Sequence, residues 1–140
     1  MNSFENFESF KNSSKFNKSS YNLGISQEAA LLPTLKAFFK DDTLEPLPDG
    51  SYFDFTGSNK LIEMKSRTCH RLTYSDTAIG VQKIEYASYT DKDVFFVFKF
   101  ANGLYYWKYD RKEELRYGKI PTTGISHFFI STSILSPMIV

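Results

Sequence analysis

Cysteine is nearly missing from this chain: Cys69 stands alone among 140 residues. A single thiol excludes an internal disulfide and a cysteine-based zinc site, and it suits a reducing compartment. Excess charge is missing too. Seventeen Lys and Arg against 16 Asp and Glu leave a net charge of +1, so no global field recruits an anionic partner. Long apolar runs are also lacking. None approaches the roughly 20 residues of a membrane span, and the start has no apolar signal-peptide region. The expectation is an intracellular protein with no membrane association. At this length a single domain with a sizeable core is expected, without room for two.

Aromatics, by contrast, are abundant, with 14 Phe and 9 Tyr. They serve either as an aromatic core or as stacking platforms for nucleic acid bases. Residues 1–22 are biased toward Asn, Ser, Phe and Lys and read as a disordered or loosely docked tail. Phe4, Phe7 and Phe10 have helical spacing there, so the tail is a candidate contact for a larger partner or a second copy. Residues 23–140 read as the single folded domain.

The first expected element is a helix over 26–39, with Ser26 as N-cap and Leu31, Leu32, Leu35, Phe38 and Phe39 as its apolar face. Pro33 either kinks it or marks a second helical start. Glu28 falls in its first turn and has two readings. It is an acid placed on the positive end of the helix dipole, or a third carboxylate near the pair described next. An acidic loop over 40–50 follows, then two strands around the polar turn at Gly57-Ser58-Asn59. An even-sized loop pairs Asp54 with Glu63, β-carbons about 4.5–5.5 Å apart, and puts Lys65 on their face. Like charges opposite one another destabilise a sheet unless something holds them. A divalent cation is the natural agent. Phe53, Phe55, Ile62 and Met64 take the other face, which predicts a sheet with one buried side.

An acid-x-Lys triplet recurs at Asp110-Arg111-Lys112, but there a hairpin at Asn102-Gly103 sets Asp93 opposite Lys112 and explains it as a closing salt bridge. A second helix is expected over 75–89, serine-capped, with Gly80 inside it and Ala78, Val81, Ile84 and Ala87 as its stripe. Strands at 93–100 and 104–109 and a late strand near 127–134 complete an α/β (α+β) order of α-β-β-α-β-β. Cys69 and His70 are adjacent, so on a strand they point apart and make a poor catalytic pair. His127, flanked by Phe128 and Phe129, reads as a packed strand residue.

This order and these residues together resemble the PD-(D/E)XK nuclease superfamily, the restriction-endonuclease-like fold. Asp54 takes the place of the first aspartate and Glu63-Met64-Lys65 that of E-x-K. Phe53 stands where the family's name has proline. Glu28 matches a glutamate that many members carry in the helix before the hairpin. Gln82 and Tyr86 match the Q-x-x-x-Y motif of the RecB-like and lambda-exonuclease-like branch. The resemblance spans about residues 25–110.

It implies a central mixed sheet of four to five strands flanked by helices, and Mg²⁺- or Mn²⁺-dependent hydrolysis of DNA phosphodiesters, with RNA also admitted as substrate. Asp54, Glu63, Glu28 and the backbone carbonyl of Met64 would hold the ion, because Mg²⁺ takes oxygen ligands. Lys65 and Gln82 would position the nucleophile and phosphate. Tyr86, Arg67, Arg71 and Lys60 would contact substrate, the cations forming a basic rim beside the acidic residues. The expected setting is DNA repair, recombination or processing in the cytoplasm or nucleus of a host cell, or within a virion. The rival is an inactive module of the same fold, a nucleic-acid-binding or virion assembly protein, in which Glu63 is salt-bridged to Lys60 or Arg67.

Overall fold

The computed structural model describes the backbone of residues 18–139 and the side chains of residues 28–139. Phe4, Phe7 and Phe10 lie outside the described residues. Helix α1 runs Lys18–Phe39, so Ser26 sits within it instead of capping it, and residues 18–22 of the expected tail are helical. Pro33 stays inside the helix on its exposed side, where the backbone group it leaves unpaired faces water. The helix ends by a Schellman closure. Lys40 adopts φ 51°, its N–H donates to the Ala37 carbonyl at 3.3 Å, and the Asp41 N–H donates to the Lys36 carbonyl at 3.1 Å.

Nine strands follow among the described residues. A six-stranded mixed sheet has the order β1 (Glu45–Pro46), β2 (Phe55–Gly57), β3 (Lys60–Ser66), β5 (Asp93–Phe100), β6 (Gly103–Lys108), β9 (Ser136–Pro137). Four of these are substantial and the two-residue β1 and β9 close the edges. A separate three-stranded sheet has the order β4 (Asp76–Gly80), β8 (Ser126–Ser131), β7 (Arg116–Lys119). β3 and β5 pair in parallel, which requires a crossover; residues 67–92 supply it and contain helix α2, Val81–Tyr89. The protein is thus a mixed α+β structure, with two α-helices among the described residues.

The first half of the expected second helix is strand β4. Thr77 and Ile79 alternate inward with period two, and Gly80 is the N-cap of α2, not an interior residue. The expectation of one buried sheet face also fails, because both faces of the main sheet are covered. On one side Leu35 of α1 packs with Leu44, Phe55, Ile62, Met64 and Val97. On the other, Leu61, Phe96, Phe98 and Trp107 pack with Ile84 and Ala87 of α2 and with Ile79 and Ile130 of the small sheet. The second hairpin is shifted by two from the expected register: Phe95 faces Lys108 and Phe100 faces Gly103. Phe100 pairing with Gly103 makes Ala101-Asn102 the turn, and within this hairpin Gly103 takes the positive φ, 137°. Asp93 consequently lies 3.7 Å from Lys108, not opposite Lys112, whose N–H instead bonds Asp110 Oδ1 at 2.9 Å.

Candidate active site

The β2–β3 hairpin positions the paired acids. Its register sets Phe55 opposite Ile62 and Gly57 opposite Lys60 around Ser58-Asn59, with Asn59 at φ 55°. Beyond Phe55 the ladder changes. The Asp54 N–H donates to the Ile62 carbonyl at 2.9 Å although Ile62 already faces Phe55, so two residues of one strand oppose one of the other. This bulge reverses the alternation. Phe53 joins the core beneath α2 while Phe55 packs beneath α1, and the two do not share a face as expected. The same departure lets the Asp54 carboxyl fold back and accept the Met64 N–H at 2.7 Å. Met64 thereby serves the site through its N–H, with its side chain in the core.

Glu63 is 4 % exposed, in the middle of β3 and beside parallel β5. Its Oε1 lies 3.9 Å from Lys65 Nζ and its Oε2 2.8 Å from Lys83 Nζ. Oε2 is buried with an ionic neighbour but no aligned hydrogen-bond donor. A hydrogen bond joins the Asp54 and Glu63 side chains, and another joins Glu28 to Asp54. Glu28 is well inside α1, whose first turn has no acid, so the helix-dipole reading falls away, and its carboxyl lies near those of Asp54 and Glu63. Burial, and then the charge on Glu63, push the Asp54 carboxyl far above the usual range. Burial likewise raises Glu28, with Glu63 adding to it. Burial would also raise Glu63, but Lys65, Lys83 and the hydrogen bond from Asp54 outweigh it and hold it low. One proton, on Asp54 and donated to Glu63, is how closely set acids coexist without a cation.

Lys83 is the residue that sequence reasoning missed. It is one helical turn before Ala87, on the flank of the buried stripe, a signal readable only once α2 is known to begin at Val81. Its ammonium also lies 5.5 Å from the Phe53 ring. Gln82, its neighbour, is exposed in the first turn of α2. Tyr86 packs against Tyr52 and Phe53 at ring separations of 5.3 and 5.5 Å, which puts it beside the site while 40 % exposed. Lys60 is not brought to the cluster: it bonds Asp41 at 2.8 Å, on the α1 side of the sheet. Arg67 donates to Thr77 Oγ1 and the Ala78 carbonyl, tying the end of β3 to β4. Arg71 donates to the Thr132 carbonyl and lies 4.8 Å over the Tyr105 ring. Neither Lys60 nor Arg67 pairs with Glu63, as the inactive-module expectation had it.

Three neighbouring carboxyls, Glu28, Asp54 and Glu63, are the oxygen donors a hard divalent cation takes. Among the described residues no three acids, imidazoles or thiols are already arranged as a cation cage. Lys83 Nζ, 2.8 Å from Glu63 Oε2, already supplies the positive charge beside that carboxylate. Lys65 is also the edge of a cleft of about 850 Å³ between the end of β3 and the small sheet. Among the described residues no helix is long and apolar enough to cross a membrane. No model of a known protein family matches the chain, and no curated protein is similar to it.

Proposed function

We propose that this protein is a metal-dependent nuclease with a restriction-endonuclease-like core, hydrolysing DNA phosphodiester bonds at Asp54, Glu63 and Lys65. The observation that carries the reading is the convergence of three carboxyls from α1, the bulge and β3, with Lys65 beside them at the edge of a cleft. Asp54, Glu63 and Glu28 would hold Mg²⁺ or Mn²⁺. Such an ion neutralises phosphate charge and makes bound water a better nucleophile. Lys65 Nζ lies 3.9 Å from Glu63, where it would orient a water and offset charge building on the phosphate. The Asp54 proton must leave before its carboxylate can serve as a ligand, so binding is coupled to proton release. Tyr86 supports the Phe53 end of the bulge and so the angle at which Asp54 is presented.

One observation favours the inactive module as a second reading. With Lys83 at 2.8 Å from Glu63 and a proton on Asp54, the cluster is satisfied without metal. Cleavage of labelled DNA by the purified chain in Mg²⁺ or Mn²⁺, beside Lys65→Ala and Asp54→Asn, separates the two. The nuclease reading expects cleavage that falls by on the order of 10²-fold or more in both variants. An inactive wild type that also takes up no Mn²⁺ in a calorimetric titration establishes the second reading instead.

A further inference from the structure

The cleft beside Lys65 differs in character from the acid cluster, and its walls point to what it holds. Four groups that carry or can carry positive charge line it, Lys65, Arg67, Arg71 and His127, against one acid, Asp76. Asp76 is already neutralised by Arg116 at 2.8 Å. Among the described residues neither Arg67 nor Arg71 has a carboxylate partner. Their guanidinium groups are held by the Ala78 and Thr132 carbonyls, so their charge is fixed in place and not cancelled. The remaining wall mixes threonines (Thr68, Thr77, Thr122 and Thr132) with aromatic and apolar groups. Phe129 and Pro121 line it, and Tyr74 stands at it with 65 % of its surface exposed.

Fixed cations with aromatic faces are the combination that binds a nucleic acid strand through its phosphates and its unpaired bases. Size then selects the form of the strand. At about 850 Å³ the cleft lies within the roughly 300–1,000 Å³ range of small-ligand sites. It has room for one or two nucleotides and none for a base-paired duplex. We infer that the cleft is a binding site for unpaired nucleotides of a DNA strand, adjoining the phosphate that Lys65 faces, and that the preferred substrate is single-stranded or has a single-stranded end. The position of that phosphate rests on the nuclease reading; the binding of unpaired nucleotides does not.

Fluorescence anisotropy in EDTA tests it, with a labelled oligothymidine and a blunt hairpin duplex of equal length titrated with the full chain. The single strand is expected to bind about tenfold tighter than the duplex. Tyr74→Ala should weaken single-strand binding by about tenfold, and Tyr74→Trp should restore it, as base stacking demands. Tyr74 is exposed, so its truncation leaves the core intact; circular dichroism checks this. Equal binding of both probes, no binding, or indifference to Tyr74→Ala overturns the inference. Tyr74-dependent binding with no metal-dependent cleavage of either probe upholds the cleft and removes the nuclease reading. Cleavage without Tyr74 dependence does the reverse.

Discussion

At Glu63 the physical chemistry of this protein is concentrated in one side chain. A carboxylate that is 4 % exposed survives as an anion only with compensating charge, and Lys83 supplies the nearest at 2.8 Å. Breaking a buried pair costs more than the pair contributes, because the remaining charge is stranded. Lys83→Met is therefore expected to lower stability by about 3 kcal/mol, the low end of the range for such pairs, since Lys65 remains at 3.9 Å. Urea denaturation measures this, and the double variant Glu63→Gln with Lys83→Met should recover most of the loss. If Lys83→Met alone unfolds at the wild-type midpoint, the ion pair has no structural role. That Asp54, Glu63 and Lys65 lie near one another was legible because their spacing along two strands fixes a common neighbourhood. Lys83 was not, because its partner is distant in sequence and its face depends on where α2 begins.

Two elements end in devices that can be tested separately. Lys40 closes α1 in a left-handed conformation, φ 51°, which a residue with a β-carbon adopts at a cost of about 1–2 kcal/mol. Lys40→Gly relieves this and should raise stability by about 1 kcal/mol, read as a higher urea midpoint. An unchanged or lower midpoint means the closure is not strained. Next to it, Asp41 anchors the β2–β3 turn. Its oxygens accept from the Ser58 N–H and Lys60 Nζ, both at 2.8 Å, and from the Thr43 hydroxyl. Lys60 foremost, then Thr43, hold the Asp41 carboxyl well below the usual range. Its stabilising contribution is therefore complete above the unfolded-state value of about 3.9 and fades as pH falls below it. Thermal melts of Asp41→Asn against wild type should differ at neutral pH and converge on acidification below about pH 4. A gap that widens in acid contradicts the assignment. The bulge at Asp54 and the strand identity of β4 escaped sequence reading for related reasons. Periodicity over 75–80 is too short to choose between helix and strand, and the pairing with β8, some 50 residues on, chooses.

For the molecule as a whole, the expected signature of the proposed site is ligand-linked stability. A cation that binds only the folded chain stabilises it by about 2.7 kcal/mol at a hundred times its dissociation constant. Mg²⁺ or Mn²⁺ should therefore raise the melting temperature of the wild type in a concentration-dependent way, and chelation should reverse it. The Lys65→Ala chain should keep this shift, whereas Glu63→Gln should lose it. A melting temperature indifferent to both ions leaves the acid cluster as a structural proton-sharing network. The fold that supports the site is a sheet covered on both faces, by α1 on one side and by α2 with the small sheet on the other. That second sheet was absent from the sequence reading, and it forms the far wall of the cleft.

What the sequence determined by itself is local and periodic: the register of the first hairpin as far as Phe55 and Ile62, though not the bulge at Asp54, the apolar face of α1, the strand character of 93–100, and the nearness of Asp54, Glu63 and Lys65. Each follows from chain geometry over a few residues. Tertiary structure alone decided which half-buried groups meet. It brought Glu28 to Asp54 and Lys83 to Glu63. It turned Lys60 toward Asp41, tied Arg67 to Ala78, and opened a cleft at Lys65 by stacking a second sheet against the first. Those outcomes depend on contacts between segments far apart in the chain, where burial and charge pairing select among partners that local spacing leaves equivalent.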